Sequence, residues 1–451
     1  MATRMPARAT RGPGGRGEAG FTLAELTVTM IVVVEVLLAV LLLFDAGGKI
    51  GKAEMQTADM QQALRISQYE VVRMVRMAGR GELPVTNNPA GTLGPNLFAG
   101  TSIAVRNNVP AATGIITGTS PTDPPGTLTN PRVLAGTDVL TVRGVFSTPL
   151  YQINFAQAGA FVYNSASGKG TVTINSVSPT GVQQPFDKLN APGSLEDAIS
   201  NQRAEALLLV SAVDDTIYGV AKLDFNGSSI NGADPAQVGQ YTQQTATIAF
   251  DTTNVGNVPL SAGGVFPANL ASVAYVGILE EYRYYVRELH ANPSDLNSEL
   301  NPRLSRARVY AGSDAPWNGD GTNLYQDIAE GVVDLQIALG FDVNGDGVVT
   351  DTNDGGDEIL FNSPADNVGA APWSPLPVTN PPSFPPLLYV RVNVLARTNR
   401  HDVQYKAPVI ASIEDHVYSA NPANAWDPNG KYGLSQRRRY SQTIVGIRNR
   451  I

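Results

Sequence analysis

Hydrophobic positions along this chain follow two regimes. From Leu26 to Phe44 the sequence LTVTMIVVVEVLLAVLLLF is apolar all round, with Glu35 as its one charge. An α-helix of that length spans about 28 Å, close to the hydrocarbon thickness of a bilayer. Further on, Ala58, Ala63, Ile66, Tyr69, Val72 and Val75 recur at three- to five-residue steps, with Gln, Asp, Glu and Arg between them. That spacing predicts one helix from Phe21 to about Arg80, its first half in a membrane and its second half under a sheet. Gly79, Gly81 and Pro84 supply a stop. The Gly47-Gly48 pair in DAGGKIGK weakens the helix locally, so a melted or bent stretch and an ordinary kink at the membrane surface both stand open.

After residue 84 the period changes. Residues 85–136, rich in Asn, Pro, Thr and Gly, read as loop. Alternation then predicts strands over 138–146, 171–177, 218–223, 246–250, 282–287, 332–339, 388–395 and 441–448. The apolar run 206–213 reads as a buried strand, 306–310 as the partner of 282–287, and Tyr325–Glu330 as a short helix. A proline-rich loop fills 372–386. One long helix followed by many short strands is an α+β class fold, the helix packed on an antiparallel β-sheet. Three stretches follow: a leader over 1–20, the helix over 21–80 with its membrane span at about 26–44, and a β-rich body over 81–451. Within that body, 148–270 reads as an insertion or subdomain.

Composition agrees with a packed body: 43% hydrophobic and 16% charged residues, with 44 glycines and 31 prolines. There is no cysteine, so disulfides and thiolate metal sites are excluded. The first 20 residues hold four arginines against Glu18, so the remainder is more acidic than the whole-chain charge of −8. Basic residues before the apolar run keep the leader cytoplasmic and send the body out. An acidic body argues against broad nucleic-acid binding.

The junction Gly20-Phe21 sits before the apolar run, whereas an ordinary secretory signal is cut after it. A cut at Gly20 would therefore retain the run and create an amine on Phe21. That amine lies within about one helical turn of Glu25, and could pair with Glu25 of the same chain or of a neighbouring subunit. The stretch GFTLAEL (20–26) resembles the class III signal of type IV pilins and type II secretion pseudopilins. VRMAGRGE (75–82), TDVLTVRG (137–144), EGVVDLQIALGFDVNGDGVV (330–349) and RRRYSQTIVGIRNR (437–450) look like PilW-type minor pilins, which are related to the J-type pseudopilin of type II secretion.

The resemblance implies a pilin-like fold and a cut after Gly20 by prepilin peptidase. It implies methylation of Phe21 and subunit docking through Glu25. It implies a non-enzymatic assembly subunit that primes or caps a type IV pilus. Such a subunit would sit first as a single-pass inner-membrane protein with its body in the periplasm, then in the pilus at the cell surface. Its partners would be other pilins or pseudopilins through the N-terminal helix, and the inner-membrane assembly platform. A pseudopilin of type II secretion is the alternative within the class. A tip adhesin or DNA-uptake subunit using residues 85–270 is the alternative outside it.

DVNGDGVVTDTNDGGDE (342–358) begins like a calcium loop. Asp342, Asn344 and Asp346 take positions 1, 3 and 5, Gly347 the turn, and Val348 could give a carbonyl. Thr350 and Asn353 depart from the pattern, and Asp351, Asp354 or Asp357 would have to substitute. Ca2+ and a solvated set of Asx-turns both fit. NGDG at 318–321 reads as a turn. His290, His401 and His416 stand in no metal spacing, and no GxSxG, Walker A or GxGxxG motif occurs. Arg437–Arg439 read as a strand entry, and Tyr282, Tyr284 and Tyr285 as sheet-face residues.

Overall fold

A computed structural model describes residues 22–81, 102–111, 113–115, 131–157, 159–186, 193–203, 205–211, 218–231, 244–252, 273–292, 295, 297–311, 317, 325–342, 345–350, 358–363 and 387–447. The chain divides into two compact units, Met1–Gln56 and Thr57–Ile451. Helix α1, Leu23–Met77, begins in the first and ends in the second.

In the first unit α1 exposes its apolar residues on every side, among them Val28, Ile31, Leu38 and Phe44. It is long and apolar enough to cross a membrane. The helix runs unbroken through Gly47 and Gly48, so neither glycine melts it. Each glycine costs about 1 kcal/mol against alanine, which one or two sites in a long cooperative helix absorb.

In the second unit the buried face is Met60, Leu64, Ser67, Val71, Val72, Met74 and Val75. Its steps of four and three are those of a core-facing stripe. Of the predicted face, Val72 and Val75 are buried and Ala63 packs partly against the core, whereas Ile66 is 42% and Tyr69 72% exposed. Met60, Leu64 and Met74 fill the core in their place. Gly79, with φ +74, ends the helix, and its N–H donates to the Arg143 carbonyl.

The larger sheet is antiparallel and eleven-stranded. Its strands are β1 (Ile103–Arg106), β2 (Val139–Gly144), β3 (Tyr151–Gln152), β4 (Phe161–Asn164), β5 (Lys169–Asn175), β6 (Ala206–Ser211), β7 (Tyr218–Asn231), β8 (Thr245–Asp251), β9 (Val273–Arg287), β10 (Arg303–Tyr310) and β11 (Tyr325–Glu330). A short helix, α2 (Leu195–Ser200), precedes β6. The main path runs β1-β2-β9-β6-β7-β8-β5-β4. The 15-residue β9 is its hub, pairing with β2, β3, β6 and β10.

Two expectations fail here. Residues 85–136 contain β1, whose four residues are too few to show a period against their polar surroundings. Tyr325–Glu330 is a strand, not a helix. The segment pairs with β10 along its length, and Arg287 and Arg303 both bind Asp327 across the sheet.

The smaller sheet comprises β12 (Val332–Phe341), β13 (Glu358–Leu360), β14 (Leu387–Arg397) and β17 (Arg438–Gly446), in the order β13-β12-β14-β17. A hairpin, β15 (Ser412–Ile413) and β16 (His416–Val417), forms a third sheet. Leu335, Ile337, Val390, Val392, Val394 and Val445 pack with Met60, Leu64, Val71 and Val75 in one core. A second core draws on residues from Tyr151 to Ile278, including Phe186, Leu207, Leu209 and Phe250. The fold is α+β: a long N-terminal apolar helix followed by large antiparallel sheets.

Candidate assembly site

The start of α1 is closed by a reciprocal cap. The Thr22 N–H and hydroxyl both donate to Glu25 Oε2, at 3.0 and 2.9 Å, and the Glu25 N–H donates to Thr22 Oγ1 at 3.2 Å. This is a capping box, Thr-x-x-Glu, which satisfies orphan donors at a helix start and sets a carboxylate where the helix dipole favours it. Glu25 Oε1 makes none of these bonds. Among the described residues one carboxylate oxygen is committed to the helix and the other has no hydrogen-bond partner. The signal Thr22-x-x-Glu25 was legible in the sequence, but it was read only as a docking carboxylate. Gly20 and Phe21 lie outside the described residues.

Downstream, the Thr27 hydroxyl donates to the Leu23 carbonyl at 2.8 Å and the Thr29 hydroxyl to the Glu25 carbonyl at 2.7 Å. The two threonine hydroxyls of the apolar stretch are thereby satisfied within the helix, as hydrocarbon demands.

Within the second unit the helix is tied to the sheets by polar groups as well as by its stripe. Glu70 accepts from the Tyr284 hydroxyl at 3.1 Å and from Arg306 Nη1 at 2.9 Å. Burial pushes the Tyr284 phenol well above its ordinary pKa, so it stays a donor. Gln68 Nε2 donates to Ser441 Oγ and Thr443 Oγ1 on β17. Sequence reading missed this clamp. Each residue is visible beside a buried stripe or within an alternating strand, but partners 236 positions apart carry no joint signal.

The Asp342 carboxylate organises the candidate calcium loop. Its Oδ1 accepts from the Gly345 and Asp346 N–H groups at 2.6 and 3.1 Å, and its Oδ2 from the Gly347 N–H at 2.8 Å. Gly345 and Gly347 both take positive φ, +80 and +86, which lets the backbone curl round the carboxylate. Asp346 Oδ1 accepts from the Val348 N–H at 2.8 Å. Oδ2 of Asp342 keeps one lone pair for a further donor or a hard cation. Asn344 and Asp351 lie outside the described residues. Among the described residues no group of three His, Asp or Glu is placed to hold a metal.

A cavity of about 460 Å³ opens between the 131–135 stretch, the 288–300 stretch and the segment after β16. On its wall His416 Nδ1 lies 2.9 Å from Asp334 Oδ2, which also accepts from the Tyr418 hydroxyl. Burial opposes the imidazolium of His416, but the bond and charge of Asp334 outweigh it and raise the pKa. His290, 2.7 Å from Glu288, is raised for the same kind of reason. Nearby Asp138 is fully buried, which raises its pKa well above the carboxylate range even though the Asn108 and Ile337 N–H groups donate to it.

Residues 283–449, from the end of β9 through β17, match the family model of the type IV pilus-assembly protein W. Over this stretch the chain is similar to a type IV pilus-related family. The matched stretch holds β12, β14 and β17, the sheet on which α1 is seated, and leaves most of the second core outside. No curated protein and no solved structure matches the chain.

Proposed function

We propose that this chain is a minor pilin: a non-enzymatic subunit that is cut after Gly20, methylated on Phe21 and drawn into a type IV pilus through α1. The observation that carries the reading is a helix with apolar residues exposed on all sides, opening on a carboxylate with one oxygen uncommitted. Such a helix has two suitable surroundings, lipid and other apolar helices. Moving between them changes little hydrophobic free energy, so helix packing and a Glu25–amine pair would give the transfer its direction. The match to a pilus-assembly family supports the same reading.

In this proposal the prepilin peptidase and the inner-membrane assembly platform act on the membrane-held precursor, whose body faces the periplasm. The separate core over 151–278 favours a second role, binding at the filament tip, because it adds packed surface outside the matched stretch. We also propose that Ca2+ completes the Asp342 turn through the remaining Oδ2 lone pair.

Replacing Gly20 by a bulkier residue tests the reading. Processing and pilus assembly should both be lost while the body stays folded. Assembly that continues with an uncut leader would refute it. Loss of assembly with normal processing would point to another step.

A further inference from the structure

Among the described residues β17 is an edge strand, paired on one side only. β17 pairs with β14 over nine residues with no register shift. The Thr398 N–H donates to the Arg437 carbonyl, and the Ile447 N–H donates to the Leu388 carbonyl. Antiparallel strands alternate between residues that bond the partner and residues that point away from it. The odd-numbered positions 437–447 therefore bond β14. The even positions Arg438, Tyr440, Gln442, Ile444 and Gly446 aim their N–H and C=O groups outward. Among the described residues those backbone groups meet no backbone partner.

Chains commonly blunt such an edge with proline, a bulge or inward-facing charge. From Tyr440 to Gly446 there is no proline and no charge, and the register carries no bulge. Apolar side chains stand exposed there instead, Tyr440 at 45% and Ile444 at 59%. By contrast, the β12–β14 pairing in the same sheet is bulged twice.

Charge says what fits. The edge opens on Arg437, Arg438 and Arg439. Arg437 reaches Asp402, and Arg438 donates to the Pro408 and Pro428 carbonyls. Arg439 is exposed and makes no ion pair among the described residues. We infer that β17 takes an extended segment of another protein as a fifth strand. That segment would carry apolar or β-branched residues at alternate positions, against Tyr440 and Ile444, and a carboxylate residue beside Arg439. This inference stands whether or not the chain is a pilin.

The test uses the full chain in detergent and a capped synthetic peptide, Glu-Val-Thr-Val-Thr-Val-Glu, with a Lys-ended version as control. Hydrogen exchange on the free chain should be fast at the amides of Tyr440, Gln442 and Ile444 and slow at Ser441, Thr443 and Val445. The acidic peptide should protect the even amides and bind at least tenfold more tightly than the Lys-ended one. Arg439→Glu should reverse that order. Gln442→Pro removes an outward N–H, which an edge position tolerates, and one exposed side-chain hydrogen bond to Glu414. It should keep the melting temperature within a few degrees and weaken the peptide at least tenfold, and Ile444→Pro should do the same.

Equal binding to the proline variants, or no preference for the acidic peptide, overturns the inference. So does slow exchange at the even amides of the free chain at every concentration, which would mean that the chain covers its own edge. Protection that grows with protein concentration alone would assign the edge to a second copy and overturn the choice of partner.

Discussion

Glu70 holds α1 to the larger sheet, and Glu70→Ala measures that hold. The carboxylate is 16% exposed and accepts from the Tyr284 hydroxyl, Arg306 and Arg73. Hydrogen bonds to a charged group contribute about 1.5–3 kcal/mol each when sheltered. Arg73 is 44% exposed, so its pair adds little. Arg306 keeps the Gln326 side chain and the face of the Tyr282 ring, and so loses only part of its stabilisation. Tyr284, fully buried, keeps Arg306 at its oxygen but loses the acceptor of its hydroxyl proton. Together these give a destabilisation of about 3 kcal/mol. Tyr284→Phe alone should cost about 1 kcal/mol, and the double variant should cost about 1 kcal/mol less than the sum. Urea unfolding of the full chain in detergent, followed by circular dichroism, reads all three. A loss below about 0.5 kcal/mol for Glu70→Ala, or strict additivity, would refute the clamp.

Three further outcomes follow from the geometry. Gly331, at φ +74, would place a Cβ 2.6 Å from the Arg397 carbonyl oxygen, so Gly331→Ala should destabilise the body by about 2 kcal/mol or more in the same unfolding assay. The raised pKa of His416 makes its pair with Asp334 fully stabilising below the ordinary histidine pKa and lost as pH rises through the folded value. The buried Asp138, also raised, adds the same sign from lower pH, and His290 adds it beside His416, so the urea midpoint should fall as pH rises from the ordinary histidine pKa upward, and His416→Gln should flatten part of that fall. Calcium titration should raise the melting temperature of the wild-type chain, and Asp342→Ala should abolish the rise while lowering stability in chelator, because three backbone N–H groups lose their acceptor.

The strands predicted at 282–287, 332–339 and 388–395 were legible because each shows its apolar pattern within a longer, nearly fully buried strand, although the first part of β9, 273–281, was not foreseen. β11 was not, because Gln326, Ala329 and Glu330 favour helix locally while its strand state depends on arginines that arrive from β9 and β10. The buried stripe of α1 was placed rightly at Val72 and Val75 but drifted outward at Ala58, Ile66 and Tyr69, since an alanine, an isoleucine and a tyrosine fit the spacing as well as Met60 and Leu64 did. Glu25 was recognised for its position after Gly20, yet its bonds to Thr22 came only with the backbone. Asp342 and Gly347 meet in one tight turn, five residues apart, which is a local property that spacing can carry. The clamp at Glu70 and the cavity beside His416 depend on contacts distant in sequence, and no local pattern encodes those.

The central claim is that the apolar helix survives maturation and opens on a new amine beside Glu25. The mass of the amino-terminal fragment of the protein recovered from cells tests it directly. A fragment beginning at methylated Phe21 is the predicted result. A fragment that still begins at Met1, or one cut after the apolar run so that Leu26–Phe44 is gone, would contradict the account.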